Sequence, residues 1–185
     1  MPPKIRFSKD DVVLAAYEVT RQKGLEAVNA RSVAAQIGCS TQPLFREFSC
    51  MEDIKKEVFL HARDCFDKMT ADEIKKEENT LKAQGRVYLT LAKNEPNLFR
   101  MLFMHKRNEE CANFAITRAC QRAAEYGQIM NVETDEASDT YINFWMFIHG
   151  MATMFATGYL TLSDDVTEEV LDNLASSRKQ AFPKQ

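Results

Sequence analysis

Apolar positions recur along this chain with the period of a helix, and nowhere with the alternation of a strand. Val12, Ala15, Ala16 and Val19 follow Ser8 and Asp11 at helical spacing, which predicts a capped first helix that Gly24 ends. Asn29 predicts the cap of a second, short helix with an apolar face of Val33, Ala34 and Ile37, closed by Gly38. A third helix is expected almost at once, capped by Ser40; Pro43 in its first turn has no N–H, so the serine oxygen would accept from Gln42. Met51-Glu52-Asp53 opens a long fourth helix to about Lys76, with a buried stripe of Ile54, Val58, Ala62, Cys65 and Met69. Helical periodicity returns in 81–93, 96–105, 110–128, 135–160 and 166–180, between Asn-, Gly-, Pro- or Asp-rich breaks. The chain reads as all-α.

No internal repeat or low-complexity linker interrupts this pattern, so the expected boundary is the start of the fourth helix, giving parts 1–50 and 51–185 that are rigidly coupled. A chain of 185 residues with 45% apolar content can bury a core without staples. The five cysteines are odd in number and form no CxxC pair, which argues against a disulfide framework or zinc site and fits a reducing cytoplasm. The longest apolar stretch, 144–159, is broken by His149, Gly150, Thr153 and Thr157, so neither a signal peptide nor a membrane span is expected. Net charge is −3, but residues 1–50 hold 7 Lys+Arg against 5 Asp+Glu, a slight positive excess at the N-terminal end.

Catalytic patterns are missing: there is no Ser-His-Asp cue, Gly-rich phosphate loop or HExxH motif, so an enzyme is not expected. His61 and His105 stand without a carboxylate at ligand spacing, which argues against a metal, and no cofactor is implied.

The stretch from Asn29 to Phe48 is the most informative: two short helices around a Gly-containing turn, with small Ala34 where they cross. Such a unit presents its second helix to a major groove. Lys23-Gly24, Arg31, Val33, Ala34, Gly38, Cys39, Ser40, Leu44, Phe45, Phe48 and Met51-Glu52-Asp53-Ile54 resemble the TetR family pattern, over roughly Val12 to Val58. The resemblance implies a three-helix helix-turn-helix head on a larger helical body, working as a bacterial, cytoplasmic repressor. It also implies a homodimer on a palindromic double-stranded DNA operator, released by a small apolar or amphipathic effector. On that reading Arg31 and the Ser32 hydroxyl hold the DNA backbone, and Thr41, Gln42 and Arg46 face base edges. Ser40, Pro43 and Phe45 complete the DNA-binding surface. The chain departs from the pattern at Phe45, where tyrosine is usual, at Thr41 and Met51, where lysine is common, and at Pro43, which lowers the expected phosphate affinity.

Farther along, Trp145-Met146-Phe147-Ile148-His149-Gly150 resembles the Trp-x-x-x-His-Gly element in the C-terminal domain of some members. The i, i+4 spacing places Trp145 and His149 on one face, where His149 is either a satisfied core residue or points into a pocket. Candidate ligand-binding residues are Met101, Phe103, Met104, Phe114, Trp145, His149, Met154 and Phe155, although a filled core would use the same side chains. The last two predicted helices resemble the pair that joins two copies in family homodimers; alternatively Leu171 and Leu174 close the monomer core. A rival function is a helical ligand carrier or interaction module whose head does not grip DNA.

Overall fold

Ser8 and Asp11 exchange hydrogen bonds as a capping box, the Ser8 oxygen accepting from the Asp11 N–H and the carboxylate from the Ser8 N–H, and α1 (Lys9–Lys23) starts there. The computed structural model describes residues 7–104, 124 and 134–176, with side chains of the last stretch from Asp139 onward. Among these residues every regular element is helical. Apart from Ala124, the predicted helix 110–128 with Phe114 lies outside them, as do His105 and the end of the last predicted helix beyond Ser176.

A single 3-10 turn, Leu25–Ala27, leads to α2 (Ala30–Ile37). Asn29 Oδ1 accepts from the N–H groups of Arg31 and Ser32, and the Ser32 hydroxyl accepts from the Asn29 N–H. Gly38, at φ 79°, ends α2 in the left-handed region that a side chain would strain, and Cys39 N–H reaches back to Ala34 C=O at 2.9 Å.

The third helix corrects the expectation from sequence. Ser40 caps nothing; α3 is the single turn Leu44–Glu47, entered from Pro43 in a helical conformation without any side-chain cap. Proline removes the N–H that a longer helix would need and disfavours helical backbone at Gln42 before it, so Thr41–Pro43 remain a turn. Leu44 N–H closes that turn on Thr41 C=O at 3.2 Å.

α4 (Met51–Ile74) buries Ile54, Val58 and Ala62 as expected, with Cys65 half-buried, but Met69 is 45% exposed. The partner changes along the helix. Tyr17 of α1 lies edge-on against His61, whereas beyond that point Phe66 meets Tyr88 and Glu73 meets Arg86, both on α5 (Thr80–Asn94). Met69 continues the stripe that faces α1 past the place where α1 covers it.

α5 is buried along most of its length and packs on α4, α7 (Thr134–Thr157) and α8 (Asp164–Ser176). Between α5 and α7 in sequence, α6 (Pro96–Phe99) continues into a π-type turn, Arg100–Met104. Gly85 lets α7 and α8 close on α5: a Cβ there would stand 2.6 Å from Leu171 Cδ2 and 2.9 Å from Phe144 Cζ. One contiguous apolar core runs from Val12 to Ala175, including Leu44 and Phe48 of the short-helix unit. Among the described residues no helix is long and apolar enough to cross a membrane.

Candidate functional site

The helix–turn–helix is anchored from beneath. Val33, Ala34, Leu44 and Phe48 are buried against the core that α1 supplies, so the outward side chains sit on a fixed frame. Arg31, Ser40, Gln42, Phe45 and Arg46 are exposed, and Ser32, Thr41 and Pro43 are half-buried. Among the described residues Arg31 and Arg46 form no ion pair within the chain, unlike Arg21, Arg63 and Arg86, which leaves both guanidinium groups to an outside anion. The Ser32 hydroxyl donates to Ala27 C=O at 2.7 Å, which holds α2 to the preceding turn. Phe45, 47% exposed, presents an aromatic edge where a phenol would offer a hydroxyl.

A second centre forms where α4, α5, α6 and α7 meet. Tyr88 of α5 is ringed by Phe66, Phe99 and Phe103 at centroid distances of 4.6–6.0 Å. Its hydroxyl lies 2.8 Å from His149 Nδ1, and the His149 ring stacks on Trp145 at 5.3 Å and 21°. The phenol oxygen and Nδ1 share one hydrogen bond, whose donor is set by the imidazole tautomer. Burial pushes the Tyr88 phenol up and holds His149 below the ordinary imidazole value, so both are neutral near pH 7. His149 is thus bonded through Nδ1 within an aromatic cluster.

Of the sequence candidates, Phe103, Trp145 and His149 come together in this cluster. Met101 is buried nearby on the same π-type turn, and Met104 at its end is exposed. Phe155 lines a surface groove with Leu89 and Lys93, and Met154 faces outward. Tyr88, Phe66 and Phe99 were not singled out from sequence; the only signal was a tyrosine inside the apolar face of α5.

α7 is apolar on both sides. Tyr141, Phe144, Ile148, Met151 and Phe155 are buried, whereas Ile142, Met146, Phe147 and Met154 occupy the opposite, exposed half. Val166 on α8 is also exposed, at 42%. A helix that is apolar all round is normally covered on all sides. Among the described residues no group of three His, Cys, Asp or Glu could hold a metal ion.

A short-helix head with free arginines, joined to a larger helical body with an aromatic centre, is the build of a helical transcription regulator. The model for the tetracyclin repressor-like C-terminal domain matches residues 81–177, more than half of the chain, and the protein belongs to the TetR family. No curated protein matches it.

Proposed function

We propose that this protein is a bacterial, cytoplasmic repressor that binds a palindromic DNA operator as a homodimer and leaves it when a small apolar or amphipathic effector enters the body. Residues 1–50 form the DNA-binding head and 51–185 the effector-binding and dimerisation body. The observation that carries the reading is the pair of free guanidinium groups, Arg31 and Arg46, on a helix–turn–helix whose apolar residues are buried beneath them. Arg31 holds phosphates, Thr41, Gln42 and Arg46 reach base edges, and Ser40, Pro43 and Phe45 shape the surface between them. Ser32 supports this frame through its bond to Ala27.

The exposed half of α7 together with α8 supports dimerisation. Ile142, Met146, Phe147 and Met154 of one copy would meet the same residues of a second, burying a face that water otherwise covers. The two heads then address successive major-groove turns, about 34–36 Å apart. The aromatic cluster around Tyr88 is the effector site, built by Met101, Phe103, Trp145 and His149 among others, and an effector that favours one head spacing shifts operator affinity.

A carrier with an inert head is the rival reading, favoured by the single-turn α3 and the phenyl ring of Phe45. Fluorescence-anisotropy titration against own-promoter and random duplexes, at low and physiological salt, separates the two. Promoter-selective affinity that falls steeply with salt is expected of the regulator; a folded dimer that ignores both duplexes is a carrier.

A further inference from the structure

Gln84 stands one turn before Tyr88 on α5, on the same face of that helix. It is 9% exposed, yet its side-chain oxygen meets no hydrogen-bond donor among the described residues. Buried amide oxygens are almost always bonded, because the water they give up must be replaced. One turn on, the Tyr88 hydroxyl is engaged with His149 Nδ1 at 2.8 Å. Arg86, two residues along α5, is turned away to Glu73, Glu77 and Glu168. The surfaces around Tyr88 are aromatic rings, and the titratable groups described there, Tyr88, Tyr141 and His149, offer no full charge to match an ion.

We propose that Gln84 is the polar anchor of the effector site, and that the effector is a neutral aromatic molecule whose O–H or N–H donates to Gln84 Oε1 while its ring lies against the Tyr88 cluster. This rests on the reading of the body as effector-binding, and it narrows that reading to a ligand class. An ionised carboxylate would bring a charge with no partner and no proton to give, and a hydrocarbon would leave the amide oxygen unbonded.

Calorimetric titration of the full-length protein with three matched probes tests it: 4-phenylphenol, 4-methoxybiphenyl and biphenyl-4-carboxylate. The phenol is expected to bind at least about tenfold more tightly than the ether or the carboxylate, because only the phenol bonds the buried oxygen without introducing charge. Gln84→Leu and Gln84→Met remove the acceptor at similar volume. Each is expected to weaken the phenol to the level of the ether, leave the ether unchanged, and melt no lower than the parent. Equal affinities for phenol and ether in the parent protein, binding of no probe, or discrimination that survives both substitutions would each overturn the proposal; the parent ratio decides even where a variant does not fold. Equal binding of phenol and ether with release of promoter DNA by both would remove the Gln84 anchor and leave the effector reading standing. Strong discrimination by a protein that ignores promoter DNA would do the reverse.

Discussion

Arg21 near the end of α1 and Glu95 at the entry of α6 form a paired hydrogen bond, Nη2 to Oε1 at 2.6 Å and Nε to Oε2 at 3.0 Å. Asn97 Nδ2 donates to Arg21 C=O at 2.8 Å, and Arg100 donates to Asn97 Oδ1 and to Ala156 C=O near the end of α7. The end of α1 is thus tied through α6 to the end of α7, where Arg100 also satisfies a carbonyl that the helix leaves open.

This chain of bonds predicts a separation of stability from signalling. Arg21→Ala should cost only about 0.2–1 kcal/mol, since the pair is partly exposed to water. The ratio of operator affinities with and without effector should nevertheless fall well below the parent's, while the effector-free affinity stays near it. Anisotropy titrations in both states measure the ratio; an unchanged value would route the coupling through α4 alone.

The Tyr88–His149 bond predicts a pH dependence. Burial holds the folded imidazole below its ordinary value of 6.5, so the unfolded chain binds the proton more readily. Stability from this group is complete above the unfolded value and is lost as pH falls through it toward the lowered folded one. His149→Gln should flatten the decline in melting temperature between about pH 7.5 and 5.5 relative to the parent protein. Tyr88→Phe keeps the ring and leaves Nδ1 without its hydrogen-bond partner, at a cost of about 1–2 kcal/mol in urea unfolding.

Arg86 gathers Glu73 of α4, Glu77 after it and Glu168 of α8 within 2.6–3.1 Å, and Lys82 lies beside Glu168 as well. The Arg86 guanidinium holds the Glu73 and Glu168 carboxyls below the usual range. Their contribution is present above the unfolded carboxylate value and fades as pH falls through the depressed folded values. Arg86→Met should cost about 1–2 kcal/mol at neutral pH, because three carboxylates then face one another. That deficit should shrink as they protonate near pH 4. Urea unfolding of both proteins at the two pH values gives the comparison, and a deficit independent of pH would assign Arg86 a packing role.

Local chemistry made much of the head legible. Ser8 with Asp11, Asn29 and Gly38 act within four or five residues of themselves, so their caps and stop could be read directly. At Pro43 two local effects compete, and its restriction of Gln42 outweighs the pull of Ser40 as a cap. Met69 is exposed for a tertiary reason: periodicity shows which side of α4 it shares, not where α1 stops covering that side. The Trp145–His149 stack follows from i, i+4 spacing, but the Tyr88 hydroxyl comes from 61 residues away, and no local pattern joins them. Gln84 is a polar residue on a buried face, a signal visible only once the buried face of α5 is known.

Gln42 is exposed on the turn before α3, where its amide can pair with adenine N6 and N7. Gln42→Ala should relax the preference at one base pair of each half-site by about 1–3 kcal/mol per site and leave the salt dependence unchanged. Arg31→Ala should do the opposite, weakening all duplexes alike and lowering the salt slope by about one. Competition among singly substituted operator duplexes tells the two apart; a Gln42→Ala protein with the parent's base preference would place readout elsewhere on the head.

Gly85 tests the core that carries both sites. Two effects oppose there: alanine gains helix propensity over glycine, by up to about 1 kcal/mol, but its Cβ enters the space of Leu171 and Phe144. Both contacting atoms are side-chain tips, so Gly85→Ala can be absorbed by small rotations and should change stability little. Gly85→Val adds two branches to a position already too close for one carbon, against a Leu171 that is fully buried. It should cost about 1–3 kcal/mol in urea unfolding. Leu171→Ala alone should also destabilise, by leaving a cavity, yet combined with Gly85→Val the two costs should partly cancel as the valine fills that space. Additive losses in the double variant would mean that α5, α7 and α8 do not meet at Gly85 as closely as the structure places them.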